Sequence, residues 1–260
     1  MARHPLKSRS FILSVRDFSE SDKIVTLLSQ ELGKRCAIAK GAKRSVKRFL
    51  NALEPFNLVD AQLVPSRKGT GLDFLDSCSL VEPFQGIRAD YSSFLCASLA
   101  CELVEMWLKE GDPHEGVFRL MGWLLDSLSR QEQRPGRAAL VFGVRLLKEV
   151  GYGLNLSQCI GCTRPLVGIG LALSPERGGF LCRECRDRAF LDGSDGYSAG
   201  AVRSLSFLQD EELSRAGRLK LSSGPRLECW KILSSVHRHH LQKDPHSFKL
   251  ICRIQEQFFG

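Results

Sequence analysis

The residues with the most definite chemistry are two Cys-x-x-Cys pairs, Cys159/Cys162 and Cys182/Cys185, with nineteen residues between them. Each such turn can aim backbone amides at its sulfurs. Two turns together bring four thiolates to one tetrahedral point, the arrangement Zn²⁺ takes. Four protein sulfurs close the coordination sphere and leave no place for water or substrate, so the expected Zn²⁺ is structural. Its binding energy is then folding energy for a module of about thirty residues. The intervening residues fit a two-stranded ribbon: Leu171-Ala172-Leu173, a turn at Pro175 to Gly179, then Phe180-Leu181. Gly178 and Gly179 are expected to supply positive φ in that turn. Neither pair is expected to open a helix after a buried strand, as dithiol redox sites do.

No other catalytic pattern accompanies the cysteines. The chain lacks HExxH, a phosphate-cradling G-x-x-x-x-G-K-[ST] loop, G-x-G-x-x-G and the G-x-S-x-G elbow. Neither an enzyme nor an ATP-driven machine is expected.

Charge supplies the second signal. The 260 residues carry 37 Lys and Arg against 29 Asp and Glu, a formal net of +8. The first fifty residues hold twelve of the basic residues and only four acids, so the rest of the chain is balanced. Lys34, Arg35, Lys40, Lys43, Arg44, Lys47 and Arg48 fall within fifteen residues. Such a band predicts contact with phosphates, giving salt-dependent and sequence-tolerant binding of nucleic acid. Phe49 is the one aromatic between Phe18 and Phe56, so a base-stacking platform is expected to be weak. A protein gripping backbone with base edges free suits pairing of complementary strands.

Composition sets further bounds. The longest apolar candidate, Phe94 to Leu108, is interrupted by Glu102 and Glu105, so no membrane span is expected. The apolar stretch Phe11 to Val15 is too short for a signal-peptide core, which points to a reducing cytoplasm. Cys36, Cys78, Cys96, Cys101, Cys229 and Cys252 are expected in the core, as are Trp107, Trp123 and Trp230. His237, His239 and His240 would point different ways on a helix and suit a surface patch or phosphate contact.

Elements must position these groups. Short β-rich runs at Phe11–Val15, Ile24–Ser29, Cys36–Ala39, Leu58–Val64 and Leu72–Val81, with a turn at 67–71, predict five strands and a small closed barrel. Beyond Pro83 the periodicity becomes helical over Ala89–Glu110, Glu115–Arg130 and Arg137–Val150, and again over 198–209, about 225–243 and 247–258. The predicted fold is α+β and multidomain: a basic barrel over 1–82, a helical domain over 83–154 and 192–260, and a four-cysteine, zinc-ribbon-like module inserted over 155–191.

This order of parts resembles the bacterial recombination mediator family RecO. The resemblance covers nearly the whole chain and rests on ESDKIVTLLSQELGK, AKGAKR, LEPFNLV, LLKEVGYGLNLSQCIGC and GGFLCREC. It implies an OB-fold barrel, a helical domain and a zinc module whose ligands fall on Cys159, Cys162, Cys182 and Cys185. It also implies a cytoplasmic, nucleoid-associated DNA repair protein of the RecF pathway. Such a protein binds single- and double-stranded DNA, anneals complementary strands without ATP, and helps load RecA onto strands coated by single-strand DNA-binding protein. The implied partners are RecR and the acidic C-terminal tail of that binding protein. The family's DNA-binding loop falls on Lys34 to Arg48, and basic residues near the carboxyl end (Lys231, Arg238, Lys243, Lys249) could extend the path or receive the tail. A zinc-stabilised RNA-binding or ribosome-associated protein is the alternative that shares charge and ribbon.

Overall fold

Alternation of apolar and polar residues builds the amino-terminal half. Along Lys23–Ser29, Val25 and Leu27 are buried while Ile24 and Thr26 are only half so, and along Leu58–Val64 the pattern repeats at Val59, Ala61 and Leu63. A period of two puts one side of each strand inside. In the computed structural model, which describes residues 5–45, 47–66, 71–188 and 196–253, five strands close into a barrel: β1 (Leu6–Asp17), β2 (Lys23–Ser29), β3 (Gly33–Ala39), β4 (Leu58–Val64) and β5 (Asp73–Glu82). Their order around the barrel is β1-β2-β3-β5-β4, with β4 returning to β1 and only the β3–β5 pair parallel. That is the expected OB-like barrel. The expected turn at 67–71 lies largely outside the described residues.

β1 is longer than the apolar run that predicted it, because its first half turns serines inward. Ser8 and Ser10 are buried, and the Ser8 and Ser29 hydroxyls share a hydrogen bond of 2.6 Å. A buried hydroxyl with a partner costs little, so hydropathy alone does not find this segment.

The loop between β3 and β4 plugs the barrel. Phe49, Ala52 and Leu53 join Ile12, Val25, Leu27, Ala37, Val59, Leu63 and Leu75 in one apolar cluster. Phe49 is therefore core and turns no face toward a base. Truncating it would report on barrel packing, not on base contact.

Three helices follow: α1 (Gly86–Ala89), α2 (Tyr91–Trp107) and α3 (Glu115–Ser129). The single helix expected from Ala89 is broken at Asp90, whose extended backbone and carboxylate, accepting from Ser93 N at 2.7 Å, make it the N-cap of α2. Phe118 of α3 stacks on Phe11 of β1 at 4.7 Å, so barrel and helices share a core. The chain divides into two compact units, Met1–Arg130 and Gln131–Gly260. The first thus holds the barrel with α1–α3.

The second unit contains α4 (Pro135–Glu149), a ribbon of β6 (Ala172–Ser174) and β7 (Gly179–Leu181), α5 (Arg183–Arg188), α6 (Ala199–Asp210), α7 (Leu213–Ala216), α8 (Ser223–Leu241) and α9 (His246–Arg253). α4, which precedes the cysteines, packs against α6 and α8, which follow them. Two expectations change here. His237 is fully buried, next to Gly143 of α4 with which it hydrogen-bonds, and is not on a surface patch. Its neighbour His240 meets the ribbon turn instead, hydrogen-bonded to Pro175 O at 3.1 Å and 4.4 Å from the Tyr152 ring. Of the three tryptophans only Trp230 is buried; Trp107 and Trp123 lie half-exposed on the flanks of α2 and α3, as so large a side chain commonly does. Cys78, Cys96, Cys101 and Cys229 are buried as expected and Cys36 is half-buried. The side chains of Lys249 and Cys252, and residues 254–258, lie outside the described residues. No helix among the described residues is long and apolar enough to cross a membrane.

Burial pushes the His237 imidazole down to about 3 from 6.5. Folding then keeps it neutral, so stability is complete above pH 6.5. It is lost as acid protonates the unfolded chain but not the folded one, from 6.5 down toward 3. Unfolding free energies from urea titrations at pH 7, 6 and 5 should fall at about 1.4 kcal/mol per pH unit below 6.5, and His237→Leu should flatten that slope.

Candidate metal centre and nucleic-acid interface

The cysteines converge because the ribbon folds back on the segment before it. Asn155 N donates to Gly178 O at 2.7 Å and Ile160 N to Phe180 O at 2.9 Å, which seats the first pair beside β7. Gly178 takes φ +64, as expected of the turn; Gly179 does not, and is small for another reason. A Cβ there would stand 2.5 Å from Ile160 Cγ2 and 3.2 Å from Asn155 O, so the close approach of the two segments needs glycine.

The four sulfurs of Cys159, Cys162, Cys182 and Cys185 lie within 4.8 Å of one another, with Cys162 Sγ and Cys182 Sγ 3.7 Å apart. Sulfurs on one tetrahedral metal at ~2.3 Å are separated by roughly 3.8 Å. Cys159 is buried and the other three half-buried. Backbone amides of Gly161 and Cys182 each donate to Cys159 Sγ at 3.3 Å, and Arg164 Nε donates to Cys162 Sγ at 3.3 Å. These donors act on the thiols. Burial opposes ionisation of Cys159, but the amides of Cys182 and Gly161 outweigh it and its pKa is lowered. Arg164 draws Cys162 down to about 6. Cys185 is pushed up to about 12, chiefly by its hydrogen bond with the Cys162 sulfur and by burial. Four thiolates cannot crowd together without a cation to balance them, and this donor set fits one metal ion. The second pair does open a helix after a buried strand: Cys182 follows β7 and precedes α5, with Arg186 N bonded to Cys182 O at 2.9 Å. That corrects the expectation. What sets this site apart from a lone dithiol is the second pair of sulfurs beside it.

The seven basic residues separate into two groups. Lys34 lies half-buried and donates through Nζ to Glu105 O at 2.5 Å, and burial lowers its pKa. Arg35 pairs with the buried carboxylate of Asp73, Nε to Oδ2 at 2.6 Å. Arg48 folds back, donating to Lys40 O at 2.5 Å and Asp76 O at 3.3 Å, with its guanidinium 4.9 Å from the Phe49 ring centre. Lys43 reaches Ser19 O at 2.9 Å and Asp17 Oδ2 at 3.0 Å. Lys40, Arg44 and Lys47 are exposed and make no ion pair among the described residues. The Gly41 amide donates to Asp22 Oδ1 at 2.8 Å, holding that carboxyl below its usual range and pinning the loop start to the β1–β2 turn.

Comparison with known proteins bears on both sites. A family profile described as "Recombination protein O N terminal" matches residues 1–84, and one described as "Recombination protein O C terminal" matches residues 88–248. A protein of Desulfatibacillum aliphaticivorans named DNA repair protein RecO is 32% identical over 258 residues, covering 98% of this chain and 99% of that one. Relatives of the same name from Anaeromyxobacter sp. (strain K) and Symbiobacterium thermophilum are each 34% identical, covering 91% and 86% of this chain and 91% and 87% of theirs. The chain belongs to the RecO family. It thus takes a place among DNA repair proteins, with an OB-like barrel, a helical region and a cysteine cluster able to hold a metal. Within this RecO chain the residues that sequence reasoning passed over are Arg164 and Glu184. Their only signal is position, two residues after the first cysteine pair and inside the second.

Two outcomes follow. Arg35→Ala leaves Asp73 buried without its cation and should cost about 3 kcal/mol in urea unfolding, whatever it does to ligand binding. Cys182→Ser should lower the metal content of purified protein and make residues 155–188 sensitive to limited proteolysis.

Proposed function

We propose that this chain is a non-enzymatic recombination mediator that binds single- and double-stranded DNA through its barrel loop and anneals complementary strands without ATP. The observation that carries this reading is the exposure of Lys40, Arg44 and Lys47 on a loop whose remaining cations are tied down. Ammonium and guanidinium groups held in water on an anchored loop meet phosphates with little reorganisation, and contact to phosphate carries no base preference. The aromatics within the loop itself support the same view: Phe49 and Phe56 are both buried, and exposed Phe18 on the adjoining β1–β2 turn stands alone rather than in a stacking platform.

The cluster of Cys159, Cys162, Cys182 and Cys185 holds one structural zinc on this reading, since four thiolates select a soft, tetrahedral ion over Mg²⁺ or Ca²⁺. The metal would stabilise the 155–191 module; this chain's own residues supply the sulfurs, the amide donors and the Arg164 guanidinium around it. Family membership supports the wider role: work with RecR, recognition of the acidic tail of single-strand DNA-binding protein, and help in placing RecA on coated strands, in the cytoplasm near the nucleoid. Residues 1–82 are then the DNA-gripping domain and the helices of 83–154 and 192–260 the support.

An annealing assay with two complementary oligonucleotides and no nucleotide triphosphate tests the core of this. Lys40, Arg44 and Lys47 changed together to Ala should slow annealing and weaken single-strand binding. The slope of log affinity against log salt should become shallower by about two, near 0.7 for each phosphate no longer neutralised. Unchanged annealing and slope would remove the loop from the mechanism, and preference for RNA over both DNA forms would favour an RNA-binding role.

A further inference from the structure

Arg164 and Glu184 stand outside the four sulfurs yet join the two turns that carry them. Arg164 Nε donates to Cys162 Sγ at 3.3 Å, while its Nη1 and Nη2 donate to Glu184 Oε1 at 3.2 Å and Oε2 at 2.5 Å. Glu184 lies between Cys182 and Cys185 in the second pair. One planar guanidinium therefore bridges a sulfur of the first turn and a carboxylate of the second. Both side chains are more than half exposed, 54% and 61%. As an ordinary surface ion pair they would contribute little. Their placement is what matters: the fork is bidentate, which fixes the plane of the guanidinium and sets its Nε–H toward Cys162.

The sulfurs are not equivalent. Cys159 is buried and accepts two backbone amides, so it is held by the fold itself. Cys162 is half-buried, and Arg164 serves it twice, through its backbone amide and through its side-chain Nε. Four thiolates around a divalent cation keep a net negative charge, and Arg164 is a cation in contact with that charge. The place of the Cys162 sulfur thus depends on a solvent-exposed side chain, whereas Cys159 depends on the backbone.

We infer that Arg164 is a latch on the metal site: a positioning residue that holds the Cys162 thiolate in place, with Glu184 aiming it, and so sets how fast the bound metal escapes. This rests on the reading that zinc occupies the cluster. Escape of the ion starts at Cys162, and the latch delays that step by keeping one lone pair of the sulfur occupied and its charge balanced.

Zinc-loaded full-length protein tests this. Wild type, Arg164→Gln, Arg164→Lys and Glu184→Gln are mixed with an excess of a colorimetric chelator and zinc release is followed. In parallel, pulses of a thiol-alkylating reagent are mapped by mass spectrometry. Arg164→Gln should release zinc about ten- to a hundred-fold faster, the span seen when groups supporting a metal's ligands are removed. Arg164→Lys, which keeps the charge without the fork, and Glu184→Gln should fall between. Cys162 should be alkylated before Cys159, Cys182 and Cys185. With Co²⁺ in place of zinc, Arg164→Gln should shift the thiolate-to-metal charge-transfer band while keeping a four-sulfur tetrahedral spectrum, which a loss of general stability would not do. Wild-type release rates in Arg164→Gln, or alkylation that begins at another cysteine, overturn the latch alone. Wild-type protein that retains no zinc overturns the metal reading and the latch with it. Should Arg164→Gln fail to fold, Arg164→Lys and Glu184→Gln carry the same expectation of faster release.

Discussion

Seven cations in fifteen residues repel one another, and a barrel cannot close around such a stretch unless part of that charge finds partners inside the protein. Lys34, Arg35 and Arg48 do so by different means: a helix-end carbonyl at Glu105, the buried carboxylate of Asp73, and the carbonyls of Lys40 and Asp76. Lys43 is drawn onto Asp17 and Ser19. What is left for solvent is Lys40, Arg44 and Lys47. The inward cations hold the path of the loop, and the apolar anchors Phe49, Ala52 and Leu53 fix its far end in the barrel. A cationic surface built this way would need little further ordering to meet a polyanion, because its exposed groups ride on a backbone already fixed by its neighbours.

The second unit solves a different problem. A ribbon of two three-residue strands has almost no core of its own. Its order comes from cross-chain hydrogen bonds, from the convergence of four sulfurs, and from support by the helices: His240 of α8 touches the Pro175 carbonyl of the ribbon turn and the Tyr152 ring. α8 in turn is locked to α4 by buried His237 and by Leu233, whose Cδ2 would lie 2.6 Å from any Cβ added at Gly143. An imidazole kept neutral in that seam has a packing role, and its cost appears only in acid. The cysteine module and the helices around it therefore share one set of contacts, although the sulfurs come from a short stretch of chain.

Much of this was legible in the residues themselves. Short β-rich runs located the five barrel strands, and apolar periodicity located the long helices but not the short α1, α5 and α7, because both patterns depend on near neighbours. The two Cys-x-x-Cys pairs picked out the four cysteines that converge, since a turn of four residues already brings two sulfurs together. The density of Lys and Arg before residue 50 raised the expectation of a polyanion partner. These features are encoded locally and survive without knowledge of what lies across the fold.

Tertiary structure decided everything that depends on a partner distant in sequence. Whether a cation faces water or an inner carboxylate turned on Asp73, 38 residues from Arg35, and on Glu105, 71 residues from Lys34. Phe49 became core because β5 and β1 close over it, and His237 because α4 lies against it. Inward Ser8 of β1 found hydroxyl and carboxylate partners on the neighbouring strand and turn, and Ser10 donates to the Ser8 carbonyl. Arg164 met Glu184 only once the ribbon had brought the second cysteine turn back to the first. A side chain's type sets which contacts it can make, but the sign and worth of each contact depend on burial and distance, and those exist only after the chain has closed on itself.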